Sequence, residues 1–168
     1  MKPFIHLLAC IVLSSIYVRG AEPGLDDYFW NEDTPPALLK LFKASPQLKS
    51  LKISHETNPF YLAGDFDGDG RLDYAVQVKS KDGQTEDIAI LLACGKTRLL
   101  SKEVGGNRPG NAWYVLARGG KLRSRPDLNE GQAAPKLTTD TIMLAKPESS
   151  AAVIYWQAGH FLIYWLTD

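Results

Sequence analysis

From about Phe60 onward the pattern is that of strands, and in "FYLAG" and "YAVQV" it has a period of two, the spacing that sends successive side chains to opposite faces of a sheet. "FYLAGDF", "DYAVQVKS", "EDIAILLAC" and "TRLLSKE" are rich in apolar and β-branched residues, and turn chemistry such as Lys81-Asp82-Gly83-Gln84 and Gly95-Lys96 separates them. "NAWYVLA" and "TIMLAK" continue the series. In "SAAVIYWQAGHFLIYWLTD", Ile154-Tyr155-Trp156 and Ile163-Tyr164-Trp165 flank Ala158-Gly159, which predicts a terminal hairpin. Upstream the period changes. "TPPALLKLFKAS" places Leu38, Leu39, Leu41 and Phe42 on one helical face, with Thr34 as the expected N-cap, proline in the first helical positions and Ser45-Pro46 as the stop. Short links between successive strands favour antiparallel pairing. The expected fold is therefore α+β: a mostly antiparallel β-sheet, a meander with a C-terminal hairpin, carrying one N-terminal helix packed on it.

No internal repeat is visible, which argues against solenoids and propellers. Two loops interrupt the strand series. "VGGNRPG" is a turn-rich connector, and "RGGKLRSRPDLNEGQAAPK" (118–136) is long for a compact domain, a length that marks functional or mobile loops. Arg118, Lys121, Arg123 and Arg125 make the first half of the long loop basic, although scattered charge is also what a solvated loop carries.

The N-terminus changes the compartment. "MKPFIHLLACIVLSSIYVRG" contains Lys2, no acid, and an apolar run from about Leu7 to Val18 that is short for a bilayer span. Small residues at Val18 and Gly20 precede Ala21. This is the pattern of a secretory signal peptide over 1–20, leaving 21–168 as a single globular domain in the periplasm or outside the cell. "LLAC" at Leu7 to Cys10 is the alternative, a lipoprotein box, but the apolar core continues through "IVLSSIYV" beyond Cys10. The 168 residues hold 19 basic and 19 acidic side chains; losing Lys2 and Arg19 with the signal leaves an excess of two acids. That balance argues against nucleic acid or an anionic membrane as partner. Cys94 alone would remain, so no internal disulfide can form, and its place at the end of "ILLAC" predicts a buried structural thiol.

The densest chemistry is "GDFDGDGRLDYAVQV". Counting from Asp65, carboxylates occupy positions 1, 3, 5 and 9 (Asp65, Asp67, Asp69, Asp73), with Gly70 at position 6 and the Arg71 carbonyl at position 7. Alternate inward carboxylates around a glycine turn suit calcium, which takes six to eight oxygens in flexible geometry. Position 12 is Val76 rather than the bidentate glutamate of an EF-hand, and the flanks alternate as strands, so the expected site is strand-loop-strand. The segment resembles the calcium loop of FG-GAP and VCBS-type repeats. That resemblance implies Ca²⁺ as cofactor, with Asp65, Asp67, Asp69 and Asp73 and the Arg71 carbonyl as ligands. It covers about fifteen residues in one copy, so the propeller fold of those repeats is not implied.

Reactive constellations are otherwise thin. "DFDGD" resembles the "DxDGT" start of haloacid-dehalogenase phosphatases, but Asp69 stands in the threonine place and a strand follows where that fold needs a helix. "HETNP" lacks the second histidine of a zinc-protease helix, and His160 reads as a solvated turn residue. Asp26, Asp27, Glu32 and Asp33 lie in an irregular acidic stretch whose Tyr28, Phe29 and Trp30 suit packing better than a sugar site. Tyr155 and Trp156 must face opposite sides of the sheet, as must Tyr164 and Trp165, so one of each pair reaches an outer face. The expected function is a secreted or periplasmic calcium-binding module, the calcium structural, of the inhibitor or immunity-protein type. Its partner would be another extracytoplasmic protein or an envelope component, meeting Arg118, Arg123, Arg125, Tyr155, Trp156, Tyr164 and Trp165. The alternative is a small extracytoplasmic metal-dependent hydrolase.

Overall fold

Leu38, Leu39, Leu41 and Phe42 do form one face of a helix, α1 (Pro36–Ala44), but Thr34 is not its cap. The N-cap position is Pro35, which offers no side-chain acceptor; the fixed φ of proline sets the helix start instead. Thr34 is buried. The helix ends as expected at Ser45, whose N–H reaches the Phe42 carbonyl, and a 3-10 turn follows over Pro46–Leu48.

This computed structural model describes residues 33–104, 112–146 and 148–167. The expected signal peptide over 1–20, Cys10, and Asp26, Asp27, Tyr28, Phe29, Trp30 and Glu32 lie outside the described residues, as do residues 105–110 of the glycine-rich connector.

The strands fall into two antiparallel sheets rather than one continuous meander. The first contains β1 (Leu51–Ile53), β2 (Tyr61–Gly64), β3 (Asp73–Ser80), β4 (Glu86–Leu91) and β5 (Thr97–Leu99). β1 and β2 share one edge of β3: Ile53 sits opposite Val78, and Tyr61 opposite Val76. The second sheet is a simple meander of β6 (Ala112–Leu116), β7 (Thr141–Ala145), β8 (Ala151–Gln157) and β9 (His160–Thr167). The break falls at "LLSKE", where the strand stops after Leu99 and a short helix, α2 (Leu100–Val104), takes over. Asp87 holds that helix start: its carboxylate accepts the Ser101 N–H at 3.0 Å and also the Ser101 hydroxyl.

Burial shows why each face is apolar. Leu62, Ala75, Ile88, Ile90 and Leu92 of the first sheet pack with Trp113, Ile142, Leu144, Ile154 and Phe161 of the second, so the sheets lie face to face. Tyr74, Val76, Val78, Ala89 and Leu91 point the other way and are covered by Leu38 and Leu48 from the helical segment. β3 is thus covered on both sides, which is why "DYAVQV" carries so little polar alternation. The outer face of the second sheet, formed by Met143, Val153, Tyr155 and Tyr164, is covered by Leu122, Ala134 and Leu137. The long 118–136 segment therefore acts as a fourth layer. Hydrogen bonds also tie the sheets together: the Trp113 Nε1–H donates to the Pro59 carbonyl at 2.6 Å, and the Asp140 N–H donates to the Asp65 carbonyl at 3.0 Å. No helix among the described residues is long and apolar enough to cross a membrane.

The terminal hairpin turns where the sequence places it. Gln157 pairs with His160 around Ala158 and Gly159, both at positive φ (51° and 90°). Such a two-residue turn prefers asparagine at its first position, and alanine there bears the left-handed cost of about 1–2 kcal/mol. Ala158→Asn is expected to stabilise the fold by about 0.5–1 kcal/mol, read as a melting temperature raised by roughly 2–3 °C. An unchanged or lowered melting temperature would contradict this account of the turn.

Candidate metal centre

Residues 65–72 join β2 to β3, closed by the Gly64–Asp73 pair. The loop is built by its own acids accepting main-chain N–H groups. Asp73, fully buried, accepts from Phe66 at 2.9 Å and Asp67 at 3.3 Å through Oδ2, and from Ala93 at 2.7 Å through Oδ1. The Asp65 Oδ2 accepts from Gly70 at 3.2 Å, and the Asp67 Oδ1 from Asp69 at 3.1 Å. These side-chain-to-backbone bonds are what short acidic residues do in turns. The curvature they require puts Gly68 and Gly70 at φ of +79° and +81°.

This winding brings Asp65, Asp67 and Asp73 together. One carboxylate oxygen from each lies within 4.8 Å of the others, a spacing at which the three can hold a metal ion. Asp69 stands outside the triad. Its Oδ2 accepts the Arg71 Nε at 2.9 Å and Nη2 at 2.5 Å, and its Oδ1 accepts the Arg71 N–H at 2.9 Å. Arg71, expected to offer only its carbonyl, uses its side chain to hold the fourth carboxylate away. Sequence position alone gave no sign of that ion pair.

The charges divide in the same way. Hydrogen bonding to the Arg71 side chain, then to its N–H, holds Asp69 below the usual carboxylate range. Burial pushes Asp73 up; the N–H groups of Ala93, Phe66 and Asp67 oppose this, while the negative charge of Asp67 adds to it. One oxygen of the triad, Asp65 Oδ1, is buried with no hydrogen-bond partner.

A residue that sequence reasoning missed supports the loop from the opposite sheet. Asp140, just before β7, accepts the Asp65 N–H at 3.0 Å through Oδ2 and the Arg118 N–H at 3.2 Å through Oδ1. Gly64 permits this approach, since a Cβ there would stand 3.1 Å from the Asp140 Oδ2 and 3.0 Å from the Phe66 ring. "TTDT" carries no spacing that singles Asp140 out. Only the fold brings it beside Asp65.

The expected partner-binding residues do not gather into one exposed patch. Alternation splits the aromatic pairs as anticipated, but the outward members, Tyr155 and Tyr164, are buried beneath the chain's own 118–136 segment. Tyr164 accepts the Arg125 N–H at 2.7 Å through its hydroxyl. Arg125 is itself engaged, with its guanidinium on Asp127 and the Leu166 carbonyl. Trp156 and Trp165 are half-buried, Trp156 against the core ring of Phe161, while Arg118 and Arg123 are exposed. Cys94 also departs from expectation. β4 stops at Leu91, and a turn closed by the Gly95 N–H on the Leu92 carbonyl lifts Cys94 into solvent. His160 opens β9, 3.9 Å from a Glu103 oxygen. Compared with protein-family models, with curated proteins and with solved structures, the chain matches none.

Two predictions come from the loop. A Cβ on Gly68 would stand 2.8 Å from the Thr139 Cγ2, whereas Gly70 faces open space, and both have positive φ. Gly70→Ala is expected to cost about 1–2 kcal/mol from backbone strain alone, and Gly68→Ala more, read by denaturant unfolding; equal costs would show that the Thr139 contact is slack. In metal-free protein, ¹³C carboxyl titration is expected to place Asp73 above and Asp69 below the ordinary aspartate value of 3.8. Just above that ordinary value, folded protein keeps the Asp73 proton that the unfolded chain releases, so this group's contribution to stability falls as pH rises through its folded pKa. Finding the two resonances in the reverse order would refute the assignment.

Proposed function

We propose that this is an extracytoplasmic calcium-binding module in which Ca²⁺ is structural, held by Asp65, Asp67 and Asp73 with the Arg71 carbonyl. The observation that carries the reading is the Asp65 Oδ1: a buried carboxylate oxygen without a donor, inside a group of three acids spaced for an ion. An unpaired buried charge is costly, and neighbouring carboxylates repel. A divalent cation removes both costs at once, and calcium accepts an irregular oxygen set completed by water. Asp69 becomes a further ligand if the cation draws it from Arg71. The affinity of extracellular calcium modules, with dissociation constants of about 10⁻⁴–10⁻³ M, suits a compartment rich in the ion.

The hydrolase alternative needs an open metal position beside a substrate cleft. Clefts among the described residues include one near Ser54 and Gln77, one near Pro46 and Arg98, and one near Lys136 and Tyr155. None of them is lined by an aspartate of the β2–β3 loop. Binding is the reading preferred here, because these clefts lie apart from the acid loop, with the signal peptide over 1–20 delivering the module to its partner.

Calcium at ten times its dissociation constant is expected to stabilise the folded protein by about 1.4 kcal/mol, with chelator reversing the gain. Asp65→Asn should abolish the response, and Asp69→Asn should weaken it less. A melting temperature indifferent to calcium in the unsubstituted protein, or a larger loss with Asp69→Asn than with Asp65→Asn, would overturn the assignment.

A further inference from the structure

The second sheet contains a place where a strand is missing. β8 and β9 remain paired as far as Gln157 and His160, but β7 and β8 pair only as far as Ile142 and Ile154. Beyond that point residues 135–140 leave β8. The Leu137 carbonyl accepts the Gly119 N–H at 2.9 Å, and the Asp140 N–H goes to the Asp65 carbonyl. The departure leaves a cleft of about 290 Å³ between residues 135–138 and the end of β8, lined by Pro135, Lys136, Thr138, Tyr155, Trp156 and Gln157.

The direction of the β8 main chain follows from its other neighbour. The Phe161 N–H donates to the Glu103 Oε2 at 3.2 Å, away from β8. Opposed residues in an antiparallel pair exchange both bonds or neither. Trp156, opposite Phe161, therefore belongs to a non-bonded pair, and its N–H and C=O are turned toward the cleft. By the β7–β8 register they face the place of Asp140, whose N–H goes to the Asp65 carbonyl instead. A ligand with one acceptor and one donor at peptide spacing replaces what β7 withholds.

We propose that this cleft binds the carboxyl-terminal end of an extended peptide, by adding a short strand to β8. Three features select that occupant. Trp156 offers a main-chain donor and acceptor, which a peptide satisfies and an isolated small anion does not. β7 joins β8 from Ile142 and Ile154 onward, so a strand added antiparallel to β8 beside Trp156 runs toward that pair carboxyl end first and cannot continue along β8 past it. Lys136 is the one charged residue of the lining and pairs with no acid among the described residues, so it favours a carboxylate over an ammonium end. Tyr155, Trp156 and Pro135 give the walls apolar surface for the peptide's last side chain. The slot lies outside the acid loop, and the proposal stands whether or not calcium binds there.

The test uses the full chain, ¹⁵N-labelled, with a degenerate tetrapeptide pool bearing free carboxyl ends, the same pool amidated, and sodium acetate. The free-acid pool at millimolar concentration is expected to shift the Trp156 and Gln157 amide resonances. Amidation should weaken binding about tenfold, equivalent to roughly 1.4 kcal/mol. Lys136→Gln, a surface change, should erase the difference between acid and amide, and Lys136→Arg should keep it. Absence of shifts with the free-acid pool, equal binding of the two pools, or acetate reproducing the Trp156 shift would each overturn the proposal.

Discussion

Asp73 sits where three pieces of main chain meet, and its carboxylate accepts the N–H groups of Phe66, Asp67 and Ala93 together. No neutral side chain of that size supplies two oxygens with free lone pairs on both sides. The bond to Ala93 draws the turn after β4 onto the loop, while the bonds to Phe66 and Asp67 start the loop's winding. Phe66, fixed by that winding, delivers its ring into the core between the sheets. Burying this carboxylate costs free energy, visible as the upward push on its pKa, and the three donors offset only part of it. The remaining cost is what makes a cation at this position favourable in the proposed reading.

A second carboxylate repeats the device from the opposite sheet. Asp140 accepts from Asp65 and Arg118, and its own N–H returns to the Asp65 carbonyl. The Asp65 main chain is thereby held at its N–H by the Asp140 carboxylate and at its C=O by the Asp140 N–H, leaving its side chain to respond to an ion. The loop is presented by two sheets at once, which distinguishes it from an acidic turn that merely caps a hairpin.

Local signals were legible in the sequence wherever geometry is set by near neighbours. Apolar, β-branched runs bounded by turn residues gave β3, β4, β8 and β9, and Ala158-Gly159 marked the hairpin, because run composition and turn chemistry are short-range properties. The strand-loop-strand character of 64–78 was readable for the same reason. The division into two sheets was not, since it depends on Leu100 being taken into the core and on Asp87 starting a helix at Ser101. Cys94 was misplaced because "ILLAC" reads as one apolar run, although β4 ends at Leu91 and a turn begins. The cover over Tyr155 and Tyr164 was likewise hidden: a segment with five basic residues reads as solvated, yet Leu122, Ala134 and Leu137 carry it onto the sheet. Asn129 then secures it, its amide accepting the Trp165 N–H at 2.8 Å and donating to the Trp165 carbonyl at 2.9 Å, so that the β9 edge is paired by a side chain.

The path of residues 135–140 connects these features physically. A strand that continued from Thr141 backward along β8 would satisfy the Trp156 main chain and close the sheet. Instead the segment gives its hydrogen bonds to Gly119, Arg118 and Asp65, sets the Thr139 methyl against Gly68, and buries Leu137 over the outer face. Asp140 cannot both brace the acid loop and extend β7, because its N–H points to Asp65 rather than along the sheet. The bracing of the loop and the gap in the sheet are thus two results of one set of bonds. A chain that gave up the gap would have to release Asp65, and a loop left unbraced would lose the main-chain grip that fixes its carboxylates.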